Sequence, residues 1–263
     1  VTPHKPVRLE RHRPSGVATI VIDRPKARNA MSRVMWQEFD MCVRSVATDR
    51  SIRALVIDGG PQAFVSGADI GDFLAFAGAA DGLAYEDSVG AALRAFEALP
   101  IVTIAAISGA CTGGGVVLAS ACDLRYGSAD ARVGMPIART LGNITNAANV
   151  ARIAAVIGSS RALEWLVTAR LVDAATAERA GFFNAVFGSY EELQQHALAT
   201  AEAIADNAPL TVRAAKEMVR RLREAARRDV DDRDLLELCY GSEDFREGAA
   251  AFIEKRSPDF RGR

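Results

Sequence analysis

The sequence predicts an α/β protein: a core of mainly parallel strands joined by helices, then a helical C-terminal section. Three observations carry this. Short β-branched runs alternate with segments of helical spacing through the first two-thirds of the chain. Two glycine-rich turns each follow a strand pattern and open a helical one. From about residue 190 the chain becomes rich in Ala, Leu, Glu and Arg and reads as several helices. The predicted division is a core over residues 1–190 and a helical region over residues 191–263.

Val17-Ala18-Thr19-Ile20-Val21-Ile22 is β-branched and ends at Asp23-Arg24-Pro25, a strand running into a turn. Ser32 can cap the helix that follows, in which Met35, Phe39, Cys42, Val43 and Val46 share one face. Ala54-Leu55-Val56-Ile57 is a second buried strand, closed by Asp58-Gly59-Gly60. Residues 101–107 form a third, closed by Ser108-Gly109, and Leu124-Arg125-Tyr126 a fourth. Gly78-Ala79-Ala80-Asp81-Gly82, small and turn-prone, is expected to be a mobile loop. Asp173 is placed to cap a short helix ending near Gly181, and residues 184–187 read as a brief strand. The later helices are interrupted at Pro209 and Gly241.

Composition narrows the class. With Lys+Arg 32 against Asp+Glu 33, the near-zero net charge argues against nucleic acid or an anionic membrane as the main partner. Cys42, Cys111, Cys122 and Cys239 are widely spaced and form no CxxC pair, so neither a disulfide framework nor a zinc site is expected. No apolar run reaches the roughly 18 residues of a membrane span, and the first five residues carry no secretory apolar stretch. The expectation is a cytoplasmic protein with reduced thiols. His4 and His12 belong to the N-terminal segment and His196 to a polar helical stretch, and no Ser-His-Asp arrangement is visible.

The two glycine-rich turns carry the chemistry. Ala63-Phe64-Val65-Ser66-Gly67-Ala68-Asp69-Ile70 is the first; Ser108-Gly109-Ala110-Cys111-Thr112-Gly113-Gly114-Gly115 is the second. Each can expose backbone N–H groups at a helix start, where the helix dipole favours negative charge. Taken alone, either is more often simple close packing. Two aimed at one spot would hold the oxygen of a developing enolate.

In this order, the segments resemble those of the crotonase (enoyl-CoA hydratase/isomerase) family. Ala63 to Ile70 is similar to its oxyanion-hole signature, and residues 109–123 to its GGG-helix-CD signature. Asp23-Arg24-Pro25-Lys26-Ala27-Arg28-Asn29-Ala30 resembles the family's first turn. Ser242-Glu243-Asp244-Phe245 and Ala251-Phe252-Ile253-Glu254-Lys255-Arg256 resemble its C-terminal end. The resemblance spans about residues 17–260.

It implies a crotonase-like spiral of ββα units with a helical C-terminal trimerisation region, assembled as a homotrimer or hexamer. It further implies an acyl-CoA thioester as ligand, no separate cofactor (coenzyme A being part of the substrate) and no metal. The N–H groups of Ala68 and Gly114 would form the oxyanion hole, and Ala68, Asp69, Ile70 and Gly71 would line the acyl-CoA site. Lys26 and Arg28 would lie near the CoA phosphates or adenosine, with Lys255 contributing from a neighbouring subunit; ordinary surface charge is the competing reading of all three.

The pattern departs from the family at two positions. Family hydratases carry a glutamate two positions after the GGG turn, where this chain has Val117, and a second after a proline, where Met135-Pro136-Ile137 supplies Ile137. Hydration needs one group to activate water and one to handle a proton, and losing a general acid/base typically costs about 10²–10⁴ in rate. Efficient hydration is therefore not expected, while isomerisation, decarboxylation and non-catalytic acyl-CoA binding stay open. Replacement acids would come from Asp69, Asp72, Glu86 or Asp87. Of these, Asp69 suits helix capping better, and Glu86 and Asp87 are expected to be solvated. Arg139, Asn143, Thr145, Asn146 and Asn149 form a polar group where the second glutamate would lie, read either as turn and cap chemistry or as substrate recognition. Asp123 is read as a structural anchor.

Overall fold

A computed structural model of the chain describes residues 5–226 and 231–263. Its elements alternate in a regular way. β1 (Val7–His12) and β2 (Val17–Ile22) form an antiparallel hairpin, followed by α1 (Arg33–Thr48). Then come β3 (Ala54–Asp58), β4 (Ala63–Val65) and α2 (Ala79–Glu97); β5 (Val102–Ile107), β6 (Ala110–Thr112) and α3 (Gly114–Ala121); β7 (Leu124–Ser128), β8 (Arg132–Gly134) and α4 (Ile137–Thr140). After α5 (Ala147–Ile157), α6 (Ser159–Thr168), β9 (Leu171–Asp173), α7 (Ala174–Arg179) and β10 (Ala185–Phe187), the chain is helical: α8 (Tyr190–Asp206), α9 (Pro209–Ala226), α10 (Arg233–Tyr240) and α11 (Glu243–Glu254).

After the first hairpin, both of whose strands join a six-stranded sheet ordered β1-β2-β3-β5-β7-β10, each ββα unit gives its first strand to that sheet and its second to a four-stranded sheet ordered β4-β6-β8-β9. Beyond the first hairpin the larger sheet is parallel, with Ala54 opposite Val102 and Ile104 opposite Leu124 setting the register. This is the expected spiral. Parallel strands buried on both faces need continuous apolar runs, and β3 is buried along its whole length. One apolar layer fills the space between the sheets and α1 to α6. A second, smaller one lies on the opposite face of the large sheet, where Leu193, Ala197, Ala201 and Ala205 of α8 cover Val17, Val56, Ile104 and Tyr126.

Several sequence expectations hold locally. Ser32 caps α1, its Oγ accepting from the Met35 N–H at 3.3 Å. Asp173 caps α7, accepting from Thr176 N at 2.8 Å. Asp123 is an anchor: it accepts from the Thr103 N–H and hydroxyl at 2.8 and 2.9 Å and pairs with Lys216 at 2.8 Å.

The predicted mobile loop over residues 78–82 is corrected. It is the start of α2, stabilised by Asp81, whose carboxylate accepts from Ala77 N at 2.7 Å and Gly78 N at 3.3 Å. The glycine at position 82 has a packing reason. It is buried against the ring of Tyr240, where any side chain would collide.

Candidate active site

Asn29 organises the first glycine-rich turn. It is buried in the left-handed region at φ 57°, and its Nδ2 donates to the carbonyls of Gly59 and Ala63, both at 2.7 Å. Its Oδ1 accepts from Arg24 N at 2.7 Å. Met31 then pairs with the turn as a short parallel bridge: its N–H donates to Gly67 O at 2.8 Å and its carbonyl accepts from Asp69 N at 3.0 Å. In such a bridge the residue between two bonded neighbours turns its own N–H to the other edge. That residue is Ala68, and Gly67 before it sits at φ 117°, a conformation that favours glycine.

The second turn meets this edge. Gly113 (φ 54°) donates to Gly134 O at 3.1 Å, and α3 begins at Gly114. A methyl on Gly114 would lie 3.7 Å from the Gly67 carbonyl carbon and 3.9 Å from the Ala68 nitrogen, so the turns are in contact. Gly115 approaches closer still, since a Cβ there would fall 2.1 Å from Val65 O. The Thr112 hydroxyl donates to Ser66 O at 2.7 Å and ties the turns together. Among the described residues, neither the Ala68 nor the Gly114 N–H donates to an acceptor. Two neighbouring donors, one at a helix N-terminus, are the arrangement that stabilises a developing oxyanion.

The remaining predicted residues are placed as follows. Asp69 caps the 3₁₀ turn Ile70–Ala75, accepting from Gly71 N at 3.0 Å, and pairs with Arg24 at 2.6 Å, so its carboxylate has structural partners. Asp72 accepts from Arg33 N at 2.7 Å. Ile70 is buried and Gly71 exposed. Lys26 and Arg28 are exposed at the rim, where the Arg28 carbonyl accepts from Ser66 N at 3.1 Å. Lys255 is exposed at the end of α11, and no hydrogen bond or ion pair among the described residues joins its side chain to this rim.

Val117 and Ile137 are buried in the main apolar layer. Ile137 opens α4, and its carbonyl accepts from both Leu141 N and Gly142 N at 2.9 Å.

Glu86 corrects the sequence reading. Expected in solvent, it is buried (7% exposed), whereas Asp87 beside it is exposed. Its Oε2 accepts from Asn146 N at 3.0 Å, Asn146 Nδ2 at 2.8 Å, Thr145 Oγ1 at 3.3 Å and Asn149 Nδ2 at 3.4 Å. Its Oε1 accepts from the Tyr240 hydroxyl at 3.0 Å, which in turn accepts from Asn143 Nδ2 at 3.1 Å. Burial raises the Glu86 pKa, with the nearby Asp232 charge acting the same way against these hydrogen bonds. The polar group read at 143–149 is thus a binding shell for a carboxyl from another helix. Asn146 also caps α5, and Arg139 stays exposed outside the shell. The signal was in the spacing: Gly82, Glu86, Val89 and Leu93 make one helical stripe, buried throughout.

The two described histidines have partners elsewhere. His12 meets Thr19 at 2.9 Å, and His196 stacks between Tyr126 and Phe187 on the far side of the sheet. His4 lies outside the described residues. Among the described residues no group of three His, Cys, Asp or Glu could hold a metal.

Comparison with known proteins identifies the family. The family model described as enoyl-CoA hydratase/isomerase matches residues 12–263. A 2,3-dehydroadipyl-CoA hydratase of Escherichia coli is 34% identical, over 94% of this chain and 96% of that protein. A solved enoyl-CoA hydratase/carnithine racemase from Magnetospirillum magneticum is 33% identical with a TM-score of 0.81, covering 99% of this chain and 97% of its own. A methylmalonyl-CoA decarboxylase solved with 2-nitronate-propionyl-CoA gives 0.88 at 27% identity, covering 99% and 100%. The chain belongs to the enoyl-CoA hydratase/isomerase family.

Proposed function

We propose that this chain is an acyl-CoA enzyme that stabilises a thioester enolate on the N–H groups of Ala68 and Gly114. The observation that carries the reading is the contact of the two turns, with neither N–H spent on an acceptor among the described residues. Removal of one such donor from an oxyanion site typically costs about 10²–10³ in rate. Asp69, Ile70 and Gly71 continue the wall for the acyl-pantetheine arm, with Asp69 contributing backbone because its carboxylate is engaged. Lys26 and Arg28 meet the CoA phosphates at the rim, and Lys255 does so from a neighbouring copy.

The apolar pair at 117 and 137 sets which enolate reactions fit. Efficient hydration does not, because neither position can activate water. Isomerisation fits if one base is present. Decarboxylation is the second reading: it needs no proton abstraction, and the similarity to a methylmalonyl-CoA decarboxylase favours it. A non-catalytic acyl-CoA binder is the third. Exposed Leu210, Met218 and Leu222 on α9 with Leu235 and Leu238 on α10 support association of the helical region into a trimer or hexamer. No described helix is long and apolar enough to cross a membrane, and a cytoplasmic location suits a CoA-dependent activity.

The test is incubation of the purified protein with enoyl-, malonyl- and hydroxyacyl-CoA thioesters, with products followed by mass and binding by calorimetry with acetoacetyl-CoA. Turnover of any thioester supports an enzyme, and binding without turnover supports the silent form. Absence of binding at millimolar ligand would overturn the whole reading.

A further inference from the structure

Two carboxyls are buried among the described residues, Asp58 and Glu86. Asp58 faces α8 on the outer side of the large sheet, held by the Tyr190 hydroxyl, Gln194 and Gly60 N. Glu86 lies on the same side of that sheet as Val117 and Ile137, all within its main apolar layer or bonded to it. Among the described residues it is the one buried acid on that side.

Its surroundings differ from those of a structural ion pair. Buried carboxylates are ordinarily compensated by a cation. The nearest buried guanidinium, Arg152, instead forks onto Glu97 at 2.9 and 2.7 Å, and reaches Glu86 only through Asn149, to whose Oδ1 it donates at 2.7 Å. Glu86 therefore holds its charge by neutral donors alone. Four of them crowd Oε2 and one, the Tyr240 hydroxyl, meets Oε1. A carboxylate oxygen offers about two acceptor directions, so Oε1 has one to spare. Glu86 also lines a cavity of about 190 Å³ with Leu83, Asn146 and Leu236 and with the charged Arg94, Asp232 and Arg233; none of these three charged side chains is hydrogen-bonded to it.

The position is continuous with the wall that lacks carboxylates. Gly142 N–H donates to the Ile137 carbonyl, and Asn143, the next residue, bonds Tyr240. Thr145 and Asn146, two and three residues further on, hold Glu86. On the other side Tyr85, its neighbour, meets Phe73 ring to edge at 5.1 Å, and Phe73 belongs to the 3₁₀ turn that follows Ala68. One carboxyl is thus linked to both the turn of Ala68 and the turn of Ile137.

We propose that Glu86 is the proton-transfer residue of this site, with Tyr240 fixing its Oε1. This rests on the enolate reading above and names the base which that reading left unassigned. The α C–H bond of the thioester breaks, its electron pair forms the enolate with charge on the thioester oxygen, and the proton goes to Glu86 Oε1. The proton returns to the α carbon, giving exchange, or to the γ carbon of an unsaturated chain, giving isomerisation; nothing is oxidised or reduced. The charged and titratable groups around Glu86 are Asp232 at the N-terminus of α10, Arg233 on α10, Asp87 and Arg94 on α2, and the phenols of Tyr85 and Tyr240.

The experiment follows deuterium uptake from heavy water at the α carbon of butyryl-CoA and the conversion of vinylacetyl-CoA to crotonyl-CoA. Binding of acetoacetyl-CoA is measured in parallel. Glu86→Gln is expected to lower exchange by at least about 10² while the dissociation constant stays within about threefold. Tyr240→Phe, which removes the donor to Oε1, is expected to lower exchange by about threefold to tenfold and to move the midpoint of its acid limb up by about half to one pH unit; a purely structural role would not move the midpoint. Exchange in Glu86→Gln within threefold of the parent would overturn the proposal, as would a parent protein that binds the thioester yet exchanges nothing. If Glu86→Gln does not fold, an unmoved midpoint in Tyr240→Phe is the overturning result. A parent that binds no thioester at all instead sinks the enolate reading itself.

Discussion

Gly82 of α2 lies flush against Tyr240 of α10: a methyl on Gly82 would fall 2.3 Å from the ring's Cγ and 2.7 Å from its Cβ. Those atoms are next to the backbone of α10 and cannot swing away. Helix α2 is held to α10 at this point, and the Tyr240 hydroxyl reaches Glu86 one turn further on.

Gly82→Ala is therefore expected to destabilise the protein although alanine is the better helix former. Overpacking typically costs about 1–3 kcal/mol, against a helix-propensity gain of about 1 kcal/mol. Urea unfolding should show a net loss. A gain in stability would mean that α10 can move off α2.

Gly114→Pro isolates the donor from the fold. Position 114 is the first residue of α3, where proline is tolerated and the N–H has no acceptor among the described residues. Thermal unfolding should change little. Enolate-dependent exchange should fall by about 10²–10³, because the N–H is gone and a ring carbon occupies its place. Full activity in this variant would rule out Gly114 as an oxyanion donor.

Hydration of crotonyl-CoA is expected to run at least about 10³ more slowly than in a family hydratase that carries both glutamates, assayed side by side. Val117 and Ile137 are buried hydrocarbon side chains and can neither give nor take a proton. Turnover within tenfold of the reference would show that another group activates the water.

Stability should carry a pH signature of Glu86. Its pKa is raised by burial above the ordinary 4.5, so the folded state holds the proton more tightly than the unfolded chain. By linkage this contribution is fully present below the ordinary value and is lost as pH rises through the folded one. Glu86→Gln should remove that slope, so that the variant gains on the parent as pH rises from the ordinary carboxylate range through the raised folded value. Urea titrations across this range check it, and parallel curves would contradict a raised pKa.

The large sheet was legible because its strands are long and apolar. β2, β3, β5 and β7 fall where their β-branched runs lie, and Ser32 and Asp173 cap the helices they precede. The small sheet was not, since β4, β6, β8 and β9 have three residues each, too few for a period. β1 escaped notice as a charged edge strand, Val-Arg-Leu-Glu-Arg-His. The glycine turns were legible as a pair because order and spacing tied them together. Glu86 was hidden for a different reason. Its partners at 145–149 and 240 are brought to it by folding, and a loop reading of residues 78–82 broke the helical stripe that would have turned it inward.

The layer under α8 has a consequence for variation. Leu193, Ala197, Ala201 and Ala205 pack on one face of the large sheet, and the glycine turns, Val117, Ile137 and Glu86 lie on the other. Substitutions separated by more than about 7–10 Å with no shared partner act nearly additively. Changes beneath α8 should therefore register as melting temperature alone, without altering which thioester is chosen or how fast it reacts. The sheet divides the molecule into a side free to drift in sequence and a side whose residues are constrained by chemistry.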